Sequence, residues 1–250
     1  MEILKDLVNK VHIGQTPDWL TNLPNSSIHL TITSPPYYES ELYILDDDVL
    51  EFGWRTYDDY LAHLESTLIE LFRVTVSGGK LILILSNSTE TDKEDRNIKF
   101  YWPIIHDVGS MARKIGWILK DEAIWAKNNI RTSRYQVNKP PNIQLVPSHD
   151  IITIYQKPGN RAEAGDTITE NSVWKLSYQG EVKEYNHSYP SFPAELVKKC
   201  INLWSLKNDY VLDPYAGSGQ VIRYAKEMGR FGIGIEADSK WQYLWEDLNK

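Results

Sequence analysis

The stretch Asp209-Tyr210-Val211-Leu212-Asp213-Pro214-Tyr215-Ala216-Gly217-Ser218-Gly219 restricts the fold more than any other part of the chain. An apolar run ends in an acid, a Gly-rich turn follows, and a helical pattern starts near Gln220. About twenty residues on, Phe231-Gly232-Ile233-Gly234-Ile235-Glu236 is another apolar run ending in an acid. Strand, turn, helix and strand in this order predict an α/β fold with ligands at the strands' carboxyl edge. Glycines let a ligand approach the backbone, and the acid can hold both hydroxyls of a ribose. The three-glycine dinucleotide spacing and the P-loop lysine are both missing, so the reading moves away from NAD and ATP.

A second stretch adds chemistry to this frame. Ile28-His29-Leu30-Thr31-Ile32 alternates as a buried strand should, and it runs into Thr33-Ser34-Pro35-Pro36-Tyr37. The prolines cannot continue a ladder, so the strand stops at Ser34. A hydroxyl, a rigid turn and an aromatic ring then stand together at a strand's carboxyl end. Tyr37 offers a face for stacking on a flat base. The Ser34 hydroxyl and the Pro35 carbonyl can accept hydrogen bonds from an amino group, and Pro36 holds them in place. Taken alone, the same residues also read as a Pro-rich surface turn.

Composition sets the outer limits. A chain of 250 residues suits one α/β domain over 1–250 with a sizeable core. Its formal net charge of -7 argues against broad electrostatic wrapping of nucleic acid and leaves room for a local basic face. Within residues 127–149 there is no Asp or Glu, whereas Lys127, Arg131, Arg134 and Lys139 all fall there. Phosphate contact is the functional reading of that segment, and a charged loop paired with acidic neighbours is the other. A single cysteine, Cys200, rules out an internal disulfide framework and a multi-cysteine zinc site, and no metal is expected. Nine Trp and fifteen Tyr suit base stacking, though core packing accounts for such rings equally well. No secretory signal or membrane span is visible, so a cytoplasmic protein is expected.

Between these motifs the chain alternates strands and helices. Helices are predicted over 57–76, 101–115 and 192–206, with a last one through Trp241, Leu244, Trp245 and Leu248. Strands are predicted over Lys80–Leu85, Gly116–Ala126 and Asp150–Gln156. Residues 38–56, 86–100 and 158–190 read as loops, the first a candidate lid carrying Tyr38, Tyr43 and Trp54. In the last, Trp174 and Tyr178 are the expected anchors.

Together these residues resemble the amino-methylating DNA methyltransferases. Thr33-Ser34-Pro35-Pro36-Tyr37 is similar to their catalytic motif. Asp213-Pro214-Tyr215-Ala216-Gly217-Ser218-Gly219 is similar to their S-adenosylmethionine motif, with Tyr215 where Phe is usual. Phe192-Pro193-Ala194-Glu195 resembles the segment that precedes it and contacts the methionine part, and Glu236 matches the ribose-binding acid. Gln15 departs from the pattern, standing where an Asp often follows the glycine. The catalytic motif comes first and the cofactor motif last, which resembles the circularly permuted β class. The resemblance implies a seven-stranded, mostly parallel sheet with an antiparallel hairpin from Trp117–Trp125 and Asp150–Gln156. It implies S-adenosylmethionine as cofactor, held by Asp213, Tyr215, Gly217, Ser218, Gly219 and Glu236, with Phe192 and Pro193 near its methionine end. It also implies a flipped-out base in duplex DNA as substrate.

Ser34, rather than Asp, at the first motif position resembles the enzymes that methylate N4 of cytosine. N6 of adenine is the alternative within the class. Methylation at cytosine C5 needs a thiolate in the catalytic turn, and this turn has none. Residues 158–186 are the expected target-recognition insert. A companion restriction endonuclease and a second copy of the chain are the expected partners besides DNA. An RNA or protein amino-methyltransferase, or a non-catalytic nucleic-acid-binding module, would share some of these features.

Overall fold

A computed structural model describes residues 2–38, 44–45, 48–49, 54, 56–91, 99–128, 141, 145, 147–165, 167–177 and 193–249. α1 (Glu2–Lys5) leads into β1 (Lys10–Ile13), a 3-10 turn at Asp18–Asn22 and β2 (Ile28–Thr33). Short strands β3 (Ile44–Leu45) and β4 (Asp48–Val49) pair before α2 (Tyr57–Val74) and β5 (Thr75–Leu85). Then come the antiparallel pair β6 (Ser88–Thr91) and β7 (Lys99–Trp102), α3 (Ile104–Ile115), β8 (Ile118–Lys127), β9 (His149–Gln156) and β10 (Val173–Leu176). α4 (Ala194–Trp204), β11 (Tyr210–Asp213), α5 (Gln220–Glu227), β12 (Phe231–Glu236) and a 3-10 helix at Ser239–Leu244 complete the order.

One sheet organises these elements, in the order β1-β12-β11-β2-β5-β9-β8-β10. The first five run parallel. β9 runs antiparallel to β5 and to β8, which is the expected hairpin. β10 is an eighth strand, parallel to β8, inside a segment whose sequence reads as irregular. It forms because Trp174 is buried there, its ring 6.2 Å from Trp204, while Val173 pairs with Ile124.

The centre of the sheet is apolar on both faces because helices cover both there, whereas β8, toward one edge, is largely exposed. In β5, Leu81, Leu83 and Leu85 face α2 and α3, while Ile82 and Ile84 face the layer built by α4 and α5. α2 starts at a capping box, in which the Asp59 N–H donates to Thr56 Oγ1 and the Thr56 N–H to the Asp59 carboxylate. Tyr60, Leu64, Thr67, Leu68, Leu71 and Val74 form its buried stripe.

Several boundaries differ from expectation. α2 stops at Val74, not at the glycines, because Thr75 and Val76 are β-branched and already belong to the strand. Gly78, at φ +73°, sits where the β2–β5 register shifts. Pro103 caps α3 from outside, so Tyr101 and Trp102 end a strand instead of starting the helix. Asp238 caps a 3-10 turn where the sequence predicts a regular last helix.

Candidate active site

β2, β11 and β12 are neighbours and parallel, so their carboxyl ends open onto one edge. The Ser34–Tyr37 turn follows β2, the Gly-rich turn follows β11, and Glu236 closes β12. This adjacency brings together residues separated by most of the chain.

A direct bond joins the two turns. Thr33 Oγ1 donates to Asp213 Oδ1 at 2.7 Å, and the Tyr215 N–H donates to the same oxygen at 3.1 Å. Asp213 is buried, and that burial pushes its carboxyl up to about 7 against the pull of those two bonds. The sequence alone does not single out Thr33. Its signal is its place as the last strand residue before the prolines.

Within the turn after β2, Ser34 Oγ donates to the Tyr37 hydroxyl at 3.1 Å. Pro35 and Pro36 are buried, while Ser34 and Tyr37 are half-buried. Tyr38 points into an aromatic cluster with Tyr57, Tyr60 and Trp102, its ring 5.3–5.6 Å from theirs. The turn is therefore anchored on its far side by the residue after Tyr37.

The Gly-rich turn has the shape its composition implies. Gly217 and Gly219 take φ of +49° and +76°, a region that side chains disfavour. The Gly217 N–H donates to Glu236 Oε2 at 2.7 Å, and the Asp238 N–H donates to Oε1 at 2.9 Å. Burial raises the Glu236 carboxyl above its ordinary range. A carboxylate offers about four acceptor positions. With these backbone N–H groups bound, Glu236 still has lone pairs for further donors, which is what a vicinal diol supplies. Trp245 Nε1 donates to the Gly217 carbonyl at 3.1 Å and braces the turn from behind. Thr16 Oγ1 donates to the Pro214 carbonyl, and the Gly14 N–H to the Glu236 carbonyl, both at 2.9 Å. Gly14 is required there, because a Cβ would stand 2.3 Å from the Trp19 ring. Gln15, the departure from the family pattern, is exposed.

Tyr215 is held by α2. Its hydroxyl lies 2.8 Å from His63 Nε2 and 3.0 Å from Thr67 Oγ1. Burial pushes His63 down to about 4, so its ring is neutral near neutral pH. Sequence reasoning misses both residues. Their i, i+4 spacing is visible in the sequence, whereas their partner lies about 150 residues away.

The other expected site residues divide into three groups. Ser218 is half-buried in the Gly-rich turn, and Pro193 is buried and opens α4, which packs on α5 and β2. Lys127 ends β8 with its ammonium 2.7 Å from both oxygens of the buried Asp150, so its charge is matched within the protein. Phe192, Arg131, Arg134 and Lys139 lie outside the described residues, as do Tyr43 and Tyr178. Cys200 is fully buried, and burial pushes its thiol up. Among the described residues no group of three His, Cys, Asp or Glu could hold a metal ion, and no helix is long and apolar enough to cross a membrane.

Residues 28–246 match the profile of the N6/N4 DNA methylase family. Type II methyltransferase M.MthZI of Methanothermobacter thermautotrophicus is 26% identical over 274 residues, taking in 95% of this chain and 75% of that protein. M.HinfI of Haemophilus influenzae, also a Type II methyltransferase, is 27% identical over 266 residues, or 96% of this chain and 68% of that one. Among solved structures, the putative DNA modification methylase TTHA0409 of Thermus thermophilus, complexed with S-adenosyl-L-methionine, matches with a TM-score of 0.74 at 24% identity, covering 96% of this chain and 92% of that one. The cytosine-N4-specific PvuII DNA methyltransferase matches with a TM-score of 0.73 at 16% identity, over 96% of this chain and 85% of that one. At these identities the structural likenesses establish the fold.

Proposed function

The chain belongs to the N6/N4 DNA methylase family and is a DNA methyltransferase, and on that footing we propose that it methylates the exocyclic N4 amino group of a flipped-out cytosine. S-adenosylmethionine, when bound, supplies an electrophilic methyl group. The chain's own residues then do three things. Glu236 receives the ribose hydroxyls on its remaining lone pairs, and Gly217 and Gly219 let the cofactor lie against the backbone. Asp213, bonded to Thr33, holds the two turns at a set spacing. Ser34 and the Pro35 carbonyl receive the target amino group, with Tyr37 stacked on the base.

The observation that supports the amino-transfer part of this reading is the Ser34–Tyr37 bond, and the choice of cytosine rests on Ser34 at the first motif position. A hydroxyl has one proton and two lone pairs. With the Ser34 proton directed at Tyr37, the face offered to a substrate is an acceptor. An amino N–H fits it, and drawing those protons aside turns the nitrogen lone pair toward the methyl group. Alignment of this kind accounts for much of the rate in a direct transfer. Pro193 and Phe192 would border the methionine end. Arg131, Arg134 and Lys139 would meet phosphates, and residues 158–186 would read the site, docked to the sheet through β10.

The test is transfer from labelled S-adenosylmethionine to unmethylated duplex DNA, followed by digestion and mass identification of nucleosides. N4-methylcytosine is expected. N6-methyladenine would overturn the base assignment and leave the amino-methyl transfer intact. Label in RNA or protein alone would overturn the substrate.

A further inference from the structure

The hydroxyl of Tyr215 is engaged with a different part of the molecule from the rest of its turn. Its backbone N–H serves Asp213, its ring lines a small apolar cavity with Thr33, Pro35, Leu64 and Thr67, and its hydroxyl meets His63 and Thr67. The ring therefore stands between the Gly-rich turn and the catalytic turn, and its polar end is fastened to α2. α2 is a firm support, since its start is closed by a capping box and its stripe is buried from Tyr60 to Val74. His63 is itself backed by Trp54, ring centroids 5.0 Å apart.

The three polar groups are complementary. A phenol has one proton to give, the neutral imidazole has one donor and one acceptor nitrogen, and Thr67 supplies a second hydroxyl. Whichever way the protons run, the phenol donates to one partner and accepts from the other. Replacing Tyr215 by Phe would keep the ring and its apolar contacts and remove both bonds.

We propose that His63 and Thr67 are positioning residues that hold the Asp213–Gly219 turn in register with the Ser34–Tyr37 turn through the Tyr215 hydroxyl. The role follows from two of the ties that hold the Gly-rich turn, those on the side of the Ser34–Tyr37 turn; Thr16, Glu236 and Trp245 hold it elsewhere. Asp213 and Thr33 tie its start to β2, while the hydroxyl clasp ties its next residue but one to α2. Without the clasp, the Tyr215 side of the turn loses its tie to α2, while the bonds with Thr33, Thr16, Glu236 and Trp245 still hold the rest. The cofactor would still bind, because Glu236 and the glycines are untouched, but its reactive end would move relative to Ser34. This inference rests on the methyl-transfer reading above for its kinetic consequence and on the geometry alone for its structural one.

The experiment uses the full chain and the variants Tyr215→Phe, Thr67→Val and Thr67→Ser. Amide hydrogen exchange over residues 213–219 is measured without cofactor, S-adenosylmethionine affinity by calorimetry, and methyl transfer under single-turnover conditions. Faster exchange in the turn, affinity within about twofold of the parent and a transfer rate lowered about tenfold are expected for Tyr215→Phe. Thr67→Val should show a smaller loss and Thr67→Ser should recover it. Combining Tyr215→Phe with Thr67→Val should add little to the first change, because both remove the same bond. Unchanged exchange in Tyr215→Phe would overturn the clasp itself. A rate loss that appears entirely as weaker cofactor binding would overturn its role in alignment. If the parent protein transfers no methyl to DNA, the reading of function fails separately, and the exchange measurement still decides whether the clasp exists.

Discussion

At the scale of single residues, the site is a set of buried polar groups whose hydrogen bonds prescribe what each can still do. Ser34 is the clearest case. Replacing it by Ala removes the acceptor face and leaves the strand, the prolines and Tyr37 in place. Methyl transfer should fall about a hundredfold, by analogy with the loss of one preorganised polar group, while S-adenosylmethionine affinity holds. Single-turnover assays beside calorimetry check both halves. Asp213 adds a pH signature. Its carboxyl, pushed up to about 7 by burial, lies above the ordinary value of an unfolded aspartate. The folded state therefore binds more protons than the unfolded state between about pH 4 and 7. The stability associated with the neutral carboxyl is fully present below that window and is lost as pH rises through 7. Asp213→Asn stays neutral throughout, so its Tm relative to the parent should climb between about pH 4.5 and 7.5, as thermal melts across that range would record. The motif residues are legible from type and order alone. Thr33, His63 and Thr67 are not, because their meaning depends on partners about 150–180 residues away.

At the scale of elements, the apolar runs declare themselves, and the short or shared pieces do not. Leu81 to Leu85 reads as a strand covered on both faces, and it is one. Val173-Trp174-Lys175-Leu176 is brief and lies among polar residues, so its pairing with β8 depends on Trp174 finding Trp204. The end of α2 reads late because helical periodicity runs past Val74 into residues whose branching favours a strand. The contact of α5 with β12 gives the sharpest test at this scale. Gly232 faces the helix, and a Cβ there would stand 2.8 Å from Ile222 Cα and 3.0 Å from its carbonyl oxygen. Both are backbone atoms, so the helix as a whole must shift. Gly232→Ala should cost about 2 kcal/mol, as overpacking does. Because α5 begins directly after Gly219, cofactor affinity should weaken in the same variant. Denaturant unfolding and calorimetry on one sample would test the link.

At the scale of the whole molecule, an acidic protein has to approach a polyanion. The basic stretch after β8 is the clearest run in the sequence suited to that, and its first member behaves differently from the rest. Lys127 is held against Asp150 at 2.7 Å with its side chain 19% exposed. Lys127→Met would leave a buried carboxylate without its cation and should cost about 3–5 kcal/mol, with no change in the salt dependence of DNA binding. Removing Arg131 and Arg134 should do the reverse. Folding should be unaffected, and the slope of log affinity against log salt should flatten by about two, near 0.9 for each phosphate that no longer meets a cation. Filter binding across a salt series separates the two outcomes, and an unchanged slope for the arginine pair would return that stretch to an ordinary loop.

The strand order carries one further consequence, and it concerns time. β2 lies between β5, its near neighbour in sequence, and β11, which comes about 180 residues later. During synthesis at roughly 5–20 residues per second, β2, β5, β9 and β8 can assemble while β11 and β12 do not yet exist. On the order of ten seconds or more passes between the emergence of the Ser34–Tyr37 turn and that of the Gly-rich turn. Through that interval one long side of β2 has no strand beside it, and Thr33 has no Asp213. β1 waits too, since its partner among the described strands is β12. A nascent chain of this kind has a reason to meet a chaperone at β2, and the two halves of its candidate site first meet only after about 180 further residues have been made.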